Sequence, residues 1–223
     1  MVAGRRDLLL EVAAELVARR GFAKTAVADV AEAAGVAKGS VYREFASKDD
    51  LLDALLRDRS LRLLARVRDA VEADPDGGRL SVLYRHALCA VLDEPLLCAL
   101  YARDAGVLGT LVLGRGAGDS QEEWPREVLR TLDDAGLLRP GLDAGAVQHV
   151  LGALATGMIA LARRPGAQQA ARTEDTLRVL TDLVARGLEP EGPVDPDPGK
   201  RAVRALLDRF TERVAGRVPA GSR

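Results

Sequence analysis

The stretch VADVAEAAGVAKGSVYREFASKDDLL, residues 27 to 52, sets three helix boundaries within 26 residues. Val27, Val30, Ala31 and Ala34 share one face of a helix that Gly35 stops, with Thr25 as the expected N-cap and Asp29 in the first turn. Val36 and Ala37 make a turn, and KGSVYREF then gives a second short helix with Val41 and Phe45 facing inward. Ser47, followed three residues later by Asp50, resembles a capping box and opens the next helix. Two helices this short bury little apolar surface by themselves. Their shape is explained if longer helices brace them, which is the arrangement of a helix-turn-helix unit.

The bracing helices can be read on either side. Leu9, Val12, Ala13, Leu16 and Val17 follow helical spacing over residues 5 to 20, and Gly21 with Phe22 supplies the stop. After Ser47 a helix runs through Leu52, Leu56, Leu63 and Val67 to the DPDGG turn at 74 to 78, roughly 40 Å at 1.5 Å per residue.

Composition agrees with an all-α chain. Aromatic residues are 3% of 223, hydrophobic residues 48% and charged residues 29%, so helix formers dominate and a packed core is available. Two cysteines, Cys89 and Cys98, without an apolar N-terminal signal, lead to the expectation of a reducing cytoplasm and no disulfide. The net charge of −1 provides no general attraction to polyanions, so nucleic-acid binding needs a local face. Lys38, Ser40, Tyr42 and Arg43 lie off the Val41/Phe45 face, Lys48 begins the next helix, and Gly39 lets backbone approach closely. A helix-turn-helix presents its second helix to a major groove, where cations and hydroxyls meet phosphates and base edges. Residues 1 to 60 carry ten basic and ten acidic residues, so charge balance alone leaves an ordinary packing unit with solvated charges as the other reading.

The longer run GFAKTAVADVAEAAGVAKGSVYREFASKDDLL resembles the DNA-binding signature of the TetR family of bacterial transcriptional regulators. The resemblance covers about residues 5 to 58, and AGLLRPGLDAGAVQHVLGALATGM at 135 to 158 is similar to a later part of many members. It implies an all-α fold in which an N-terminal helix-turn-helix three-helix domain is joined by a long helix to a helical ligand-binding and dimerisation domain. It also implies a homodimer that binds an effector; the expected reading is a repressor on a pseudo-palindromic double-stranded DNA operator, released by a small lipophilic effector that an apolar pocket favours, with no cofactor. By position, Thr25, Tyr42 and Lys48 correspond to phosphate contacts, and Val36, Lys38, Gly39, Ser40 and Arg43 to the groove-reading surface. Ala26 and Ala37 depart from the family's usual hydroxyl residues, each at about 1 kcal/mol of lost capping. Glu44 is expected to pair with a neighbouring arginine. The domains read as 1–58 for DNA, 59–188 for effector and dimerisation, 189–199 as a Pro/acidic linker, and 200–217 as an extra amphipathic helix.

The remaining chain is less specific. Helices are expected at 79–92, 95–104, 125–135, 143–163 and 173–186, with Asp143 as an N-cap and Gly187 as a stop. Gly145, Gly152, Ala155 and Gly157 permit close helix approach, and this helix with 173–186 resembles the family's four-helix dimer seam; a tight intrachain core is the other reading. Residues 144 to 162 are apolar over a membrane thickness, but Gln148, His149 and three glycines favour a buried helix and no membrane span. GVLGTLVLGRGAGDS, at 106 to 120, lacks the GK[ST] of a phosphate loop and reads as a connection. His86, Tyr101, Trp124 and His149 are candidate effector contacts. His86, Cys89, Cys98 and His149 are a weak metal constellation, which keeps a helical metal-binding protein as an alternative, while no catalytic residue stands out. The tail KRAVRALLDRFTERVAGR carries a stripe of Val203, Leu206, Leu207, Phe210 and Val214 among arginines, suited to packing on the fold or to an anionic membrane surface or DNA.

Overall fold

The computed structural model describes residues 4–101, 117–163, 169–192 and 195–216, with the side chains of 117–125 and 169–170 outside that description. The described part of the chain is helical without strands: α1 Arg5–Arg20, α2 Val27–Ala33, α3 Lys38–Glu44, α4 Lys48–Ala73, α5 Leu80–Leu92, α6 Pro95–Tyr101, α7 Ala117–Asp134, α8 Ala144–Ala162, α9 Gln169–Leu188 and α10 Pro196–Ala215. The all-α expectation holds. The connection expected at 106–116 lies outside the described residues, and 117–120, expected to continue it, open α7 instead.

Two compact units divide the chain. The first comprises Met1–Arg62, Glu94–Gly116 and Arg213–Arg223, the second Leu63–Asp93 and Ala117–Glu212. In the first, Leu9, Leu10, Ala13, Leu16 and Val17 of α1 meet Val27, Val30 and Ala31 of α2, Val41 of α3, Phe45, and Leu51, Leu52 and Leu55 of α4. Leu96 and Ala99 of α6 complete this core. An ionic cluster ties the same elements together: Arg59 Nη2 of α4 donates to Glu11 Oε2 of α1 at 2.7 Å, its Nη1 lies 3.9 Å from Glu94, and Arg62 bridges Glu11 to Asp58. Burial pushes the Glu11 carboxyl upward, but hydrogen bonds and charge from Arg59 and Arg62 outweigh it and hold the group below the usual carboxylate range.

In the second unit α9 packs on α5, and α8 lies against α5, α7 and α9. Asp143 caps α8 as expected, its Oδ1 accepting from the Ala146 N–H at 2.6 Å. Gly187 does not stop α9. The helix continues two residues further to Leu188, whose carbonyl accepts from Arg139 N–H at 2.8 Å, so this end carbonyl has a partner. Helix α8 is long and apolar enough to cross a membrane by length and composition alone. The expectation that it is a buried helix is corrected, since only Val147, Leu151, Met158 and Ile159 are buried and the opposite face is open.

The C-terminal helix belongs to the fold. It starts at Pro196, earlier than its apolar stripe suggests, because Asp195 Oδ1 accepts from the Asp197 N–H and proline needs no donor at a first helical position. All five residues of the stripe are buried, so the apolar face that a membrane surface would require is already covered. Arg204 grips Glu72 with two bonds of 2.7 Å, and Arg209 pairs with Glu127. Where the chain passes the DPDGG turn, a Cβ on Gly199 would stand 2.5 Å from the Gly78 carbonyl, so glycine is required by backbone contact.

The sequence places Glu189 at the start of the linker. It is 2% exposed, accepting from Arg79 Nε and from the Ser81 N–H of α5's first turn, both at 2.7 Å. A carboxylate there satisfies an N-terminal amide that α5 cannot satisfy itself. Glu189→Ala is expected to lower unfolding free energy by about 2–3 kcal/mol in a urea titration, because it strands a buried N–H and a partly buried guanidinium.

Candidate nucleic-acid interface

A complete Schellman turn sets the angle between α2 and α3. Val36 N–H donates to Ala31 O at 2.9 Å, Gly35 N–H donates to Glu32 O at 3.1 Å, and Gly35 takes φ +66°. This turn places Val36 as the hydrophobic partner of Ala31, so Val36 is partly buried against the core. The start of α2 differs from expectation. Ala26, not Thr25, occupies the cap position, because the Thr25 hydroxyl donates back to Gly21 O at 2.9 Å. The Asp29 carboxylate compensates by accepting from Ala26 N–H at 2.8 Å.

Burial of Val41 and Phe45 turns Lys38, Gly39, Tyr42 and Arg43 outward. Tyr42 is 47% exposed, with Lys38 Nζ 5.8 Å from its ring centroid, so a cation and a phenol share one exposed face. An added Cβ at Gly39 would meet nothing within 4 Å, so the protein's own packing does not demand glycine there. Ser40 was expected off the core face, but it is buried, because it stands one residue from Val41 on a tightly backed helix. Its Oγ accepts from Arg43 Nη2 at 2.9 Å and orients that guanidinium. Arg43 is therefore turned to Ser40, and the expected arginine pair with Glu44 is not formed among the described residues. Thr25, 4% exposed, holds the turn ahead of α2. Lys48 lies over the Phe22 ring at 4.3 Å and donates to Ala23 O at 3.3 Å, which leaves its ammonium two further donors.

The effector candidates sit on four different helices, His86 on α5, Tyr101 on α6, Trp124 on α7 and His149 on α8. His86 Nε2 lies 3.1 Å from Asp74 Oδ2, which also accepts from Arg85 at 2.9 Å. His149 is exposed on α8, with Nδ1 3.1 Å from Gly145 O. Tyr101 is exposed at the end of α6 in the first unit, and the Trp124 side chain lies outside the description. Sequence reasoning missed Tyr84, whose hydroxyl donates to Leu151 O at 2.5 Å and whose pKa burial pushes to about 12. Its spacing of four from both Leu80 and Leu88 was the available signal. No group of three or more His, Cys, Asp or Glu among the described residues is placed to hold a metal. His86 turns to Asp74, Cys98 is buried in the first unit's span of the chain, and burial raises the Cys89 thiol.

Comparison with known proteins agrees with this geometry. Residues 9–55 match the family model described as bacterial regulatory proteins, tetR family. The HTH-type transcriptional repressor KstR2 of Mycobacterium tuberculosis is 33% identical over 154 residues, covering 67% of this chain and 77% of that protein. KstR2 of Rhodococcus jostii is 42% identical over 73 residues, 33% of this chain and 36% of its own. A solved structure described as the molecular basis for control of antibiotic production by bacterial hormones superposes with TM-score 0.59 at 28% identity, covering 83% of this chain and 97% of that one. A TetR transcriptional regulator of Streptomyces coelicolor, 22% identical with TM-score 0.54 over 84% of this chain and 99% of its own, shares the fold. With the helix-turn-helix, its exposed cationic helix and these relatives in agreement, the chain belongs to the TetR family of DNA-binding bacterial transcriptional regulators.

Proposed function

We propose that this regulator is a repressor, which binds a pseudo-palindromic operator as a homodimer and leaves it when a small, largely apolar effector binds the 59–188 region. The observation that carries the DNA half is the outward face of α3, where Lys38, Tyr42 and Arg43 surround a glycine that the fold itself does not need. In this reading Lys38 and Arg43 meet base edges, Tyr42 and Lys48 meet phosphates, and Gly39 lets the backbone close on the groove. Thr25, Val36 and Ser40 act by holding the turn, the α2–α3 angle and the Arg43 guanidinium. Repression follows the naming of the KstR2 relatives.

A second copy is the proposed cover for the open faces of α8 and α9. Val150, Leu154 and Leu161 project from α8, while Val179 and Leu183 of α9 are 58% and 62% exposed. Isolated large apolar residues are ordinary, but five on adjoining helices beside Gly152 and Gly157 form a surface that self-association would bury. His86, Tyr101, Trp124 and His149 stay effector candidates, and Tyr84 joins them. His149, outward on α8, fits the seam equally well.

Gly39→Ala separates fold from function. Stability should hold or rise by about 0.5–1 kcal/mol, since helical glycine is unfavourable and no atom opposes the methyl. Operator affinity should fall at least tenfold in a binding titration (order of magnitude, about 1.4 kcal/mol per decade). Unchanged affinity would remove the α3 backbone from the interface.

Gly152→Leu tests the seam. A Cβ there meets nothing within 4 Å in one protomer, so the variant should fold normally. Sedimentation should nevertheless shift it toward monomer, with overpacking of about 1–3 kcal/mol between copies. An intact dimer would take this position out of the interface.

A further inference from the structure

Arg6 sits in the first turn of α1, yet it reaches the far end of the recognition helix. Its Nη1 donates to the Glu44 carbonyl at 2.9 Å, and its guanidinium carbon lies 4.5 Å from the centroid of the Phe45 ring. Glu44 is the last residue of α3, and the chain becomes extended at Phe45, so the Glu44 carbonyl has no amide ahead of it to accept from. Arg6 supplies the missing donor while its planar face rests on a ring that the core holds almost completely buried. One residue further, the Ala46 N–H donates to Asp50 Oδ2 at 2.9 Å. The end of α3 is thus held between a cation of α1 and a carboxylate of α4.

We propose that Arg6 is a positioning residue for DNA recognition: it fixes the angle at which α3 presents Lys38, Tyr42 and Arg43, without itself contacting DNA. The proposal rests on the operator-binding reading of α3. Helix α3 has seven residues; Ser40 and Val41 are buried, Phe45 follows directly, and the Schellman turn holds its first end. Those contacts hold its start and its inner face, and leave a rocking rotation of its last turn to be restrained. A donor fixed to the last carbonyl restrains that rotation. Lysine would keep the charge but could not stack a plane and donate sideways at once, so the role is specific to arginine.

The test compares wild type, Arg6→Met and Arg6→Lys. The first readout needs no DNA: hydrogen exchange at the Phe45 amide, which bonds Val41 O at 2.9 Å, should speed about tenfold in Arg6→Met, while the Val36 amide in the α2–α3 turn keeps its protection. The second is affinity across a salt series, for a genomic duplex that the wild-type protein selects and for a scrambled duplex of equal length. Affinity for the selected duplex should fall about tenfold, roughly one decade, with the scrambled duplex and the salt slope unchanged and with Arg6→Lys rescuing only in part. Equal loss on both duplexes with a slope reduced by about one, or complete rescue by lysine, would make Arg6 a phosphate contact and overturn the proposal. Unchanged exchange and affinity would overturn it too. Should wild type select no duplex at all, the operator reading fails, while the exchange result still decides whether the clamp exists.

Discussion

The packing of Val41 and Phe45 into the core formed by α1, α2 and α4 is the constraint from which the rest of the DNA-binding unit follows. Isolated helices of seven residues are not stable in water, because nucleation is unfavourable and few bonds repay it. Helices α2 and α3 exist because Leu9 and Leu16 of α1 and Leu52 and Leu55 of α4 bury their apolar faces. Each fully buried side chain of this kind contributes about 1.5–3 kcal/mol. Once those two residues point inward, helical geometry leaves no choice about what points outward. Lys38 and Tyr42, four apart, land on one exposed side, and the core of the unit thereby defines its binding surface.

Helix α4 contributes to two cores in succession. Its first half supplies Leu51, Leu52 and Leu55 to the helix-turn-helix unit, and its second half supplies buried Leu64, Val67 and Val71. Polar contacts mark both halves: Arg59 and Arg62 bind Glu11 of α1, while Arg68 and Glu72 pair with Asp208 and Arg204 of α10. The Arg204–Glu72 pair is exposed and contributes little stability alone, but two parallel bonds define direction as well as attraction. The extra C-terminal helix thus orders the later turns of α4.

Much of this was legible in the sequence for identifiable reasons. The boundaries of α1 to α4 depend on short-range signals, namely Gly21, Gly35 and Ser47 beside helically spaced aliphatics, and they fall within a residue of expectation, α3 ending at Glu44 with Phe45 extended. The cap at α2 was misread because Thr25 and Ala26 are adjacent and only the back-bond to Gly21 decides between them. Ser40 was misread because a small hydroxyl beside Val41 carries no sign of which side it will take until Arg43 meets it. The roles of Arg6, Tyr84 and Glu189 depend on partners 38, 67 and 108 residues away, and no local pattern announces contacts of that kind. Helix α8 reads as a buried helix since its composition is apolar nearly all round, and the surface proposed for a second copy has the same composition.

In the proposed complex, paired copies of α3 read two half-sites on one face of a duplex. Hydroxyl-radical footprinting of the wild-type protein on a genomic fragment that it selects tests this most directly. Two related protected half-sites are expected, with centres about 10 base pairs apart or at a multiple of one helical turn. A single protected patch, or uniform protection without sequence preference, would contradict it.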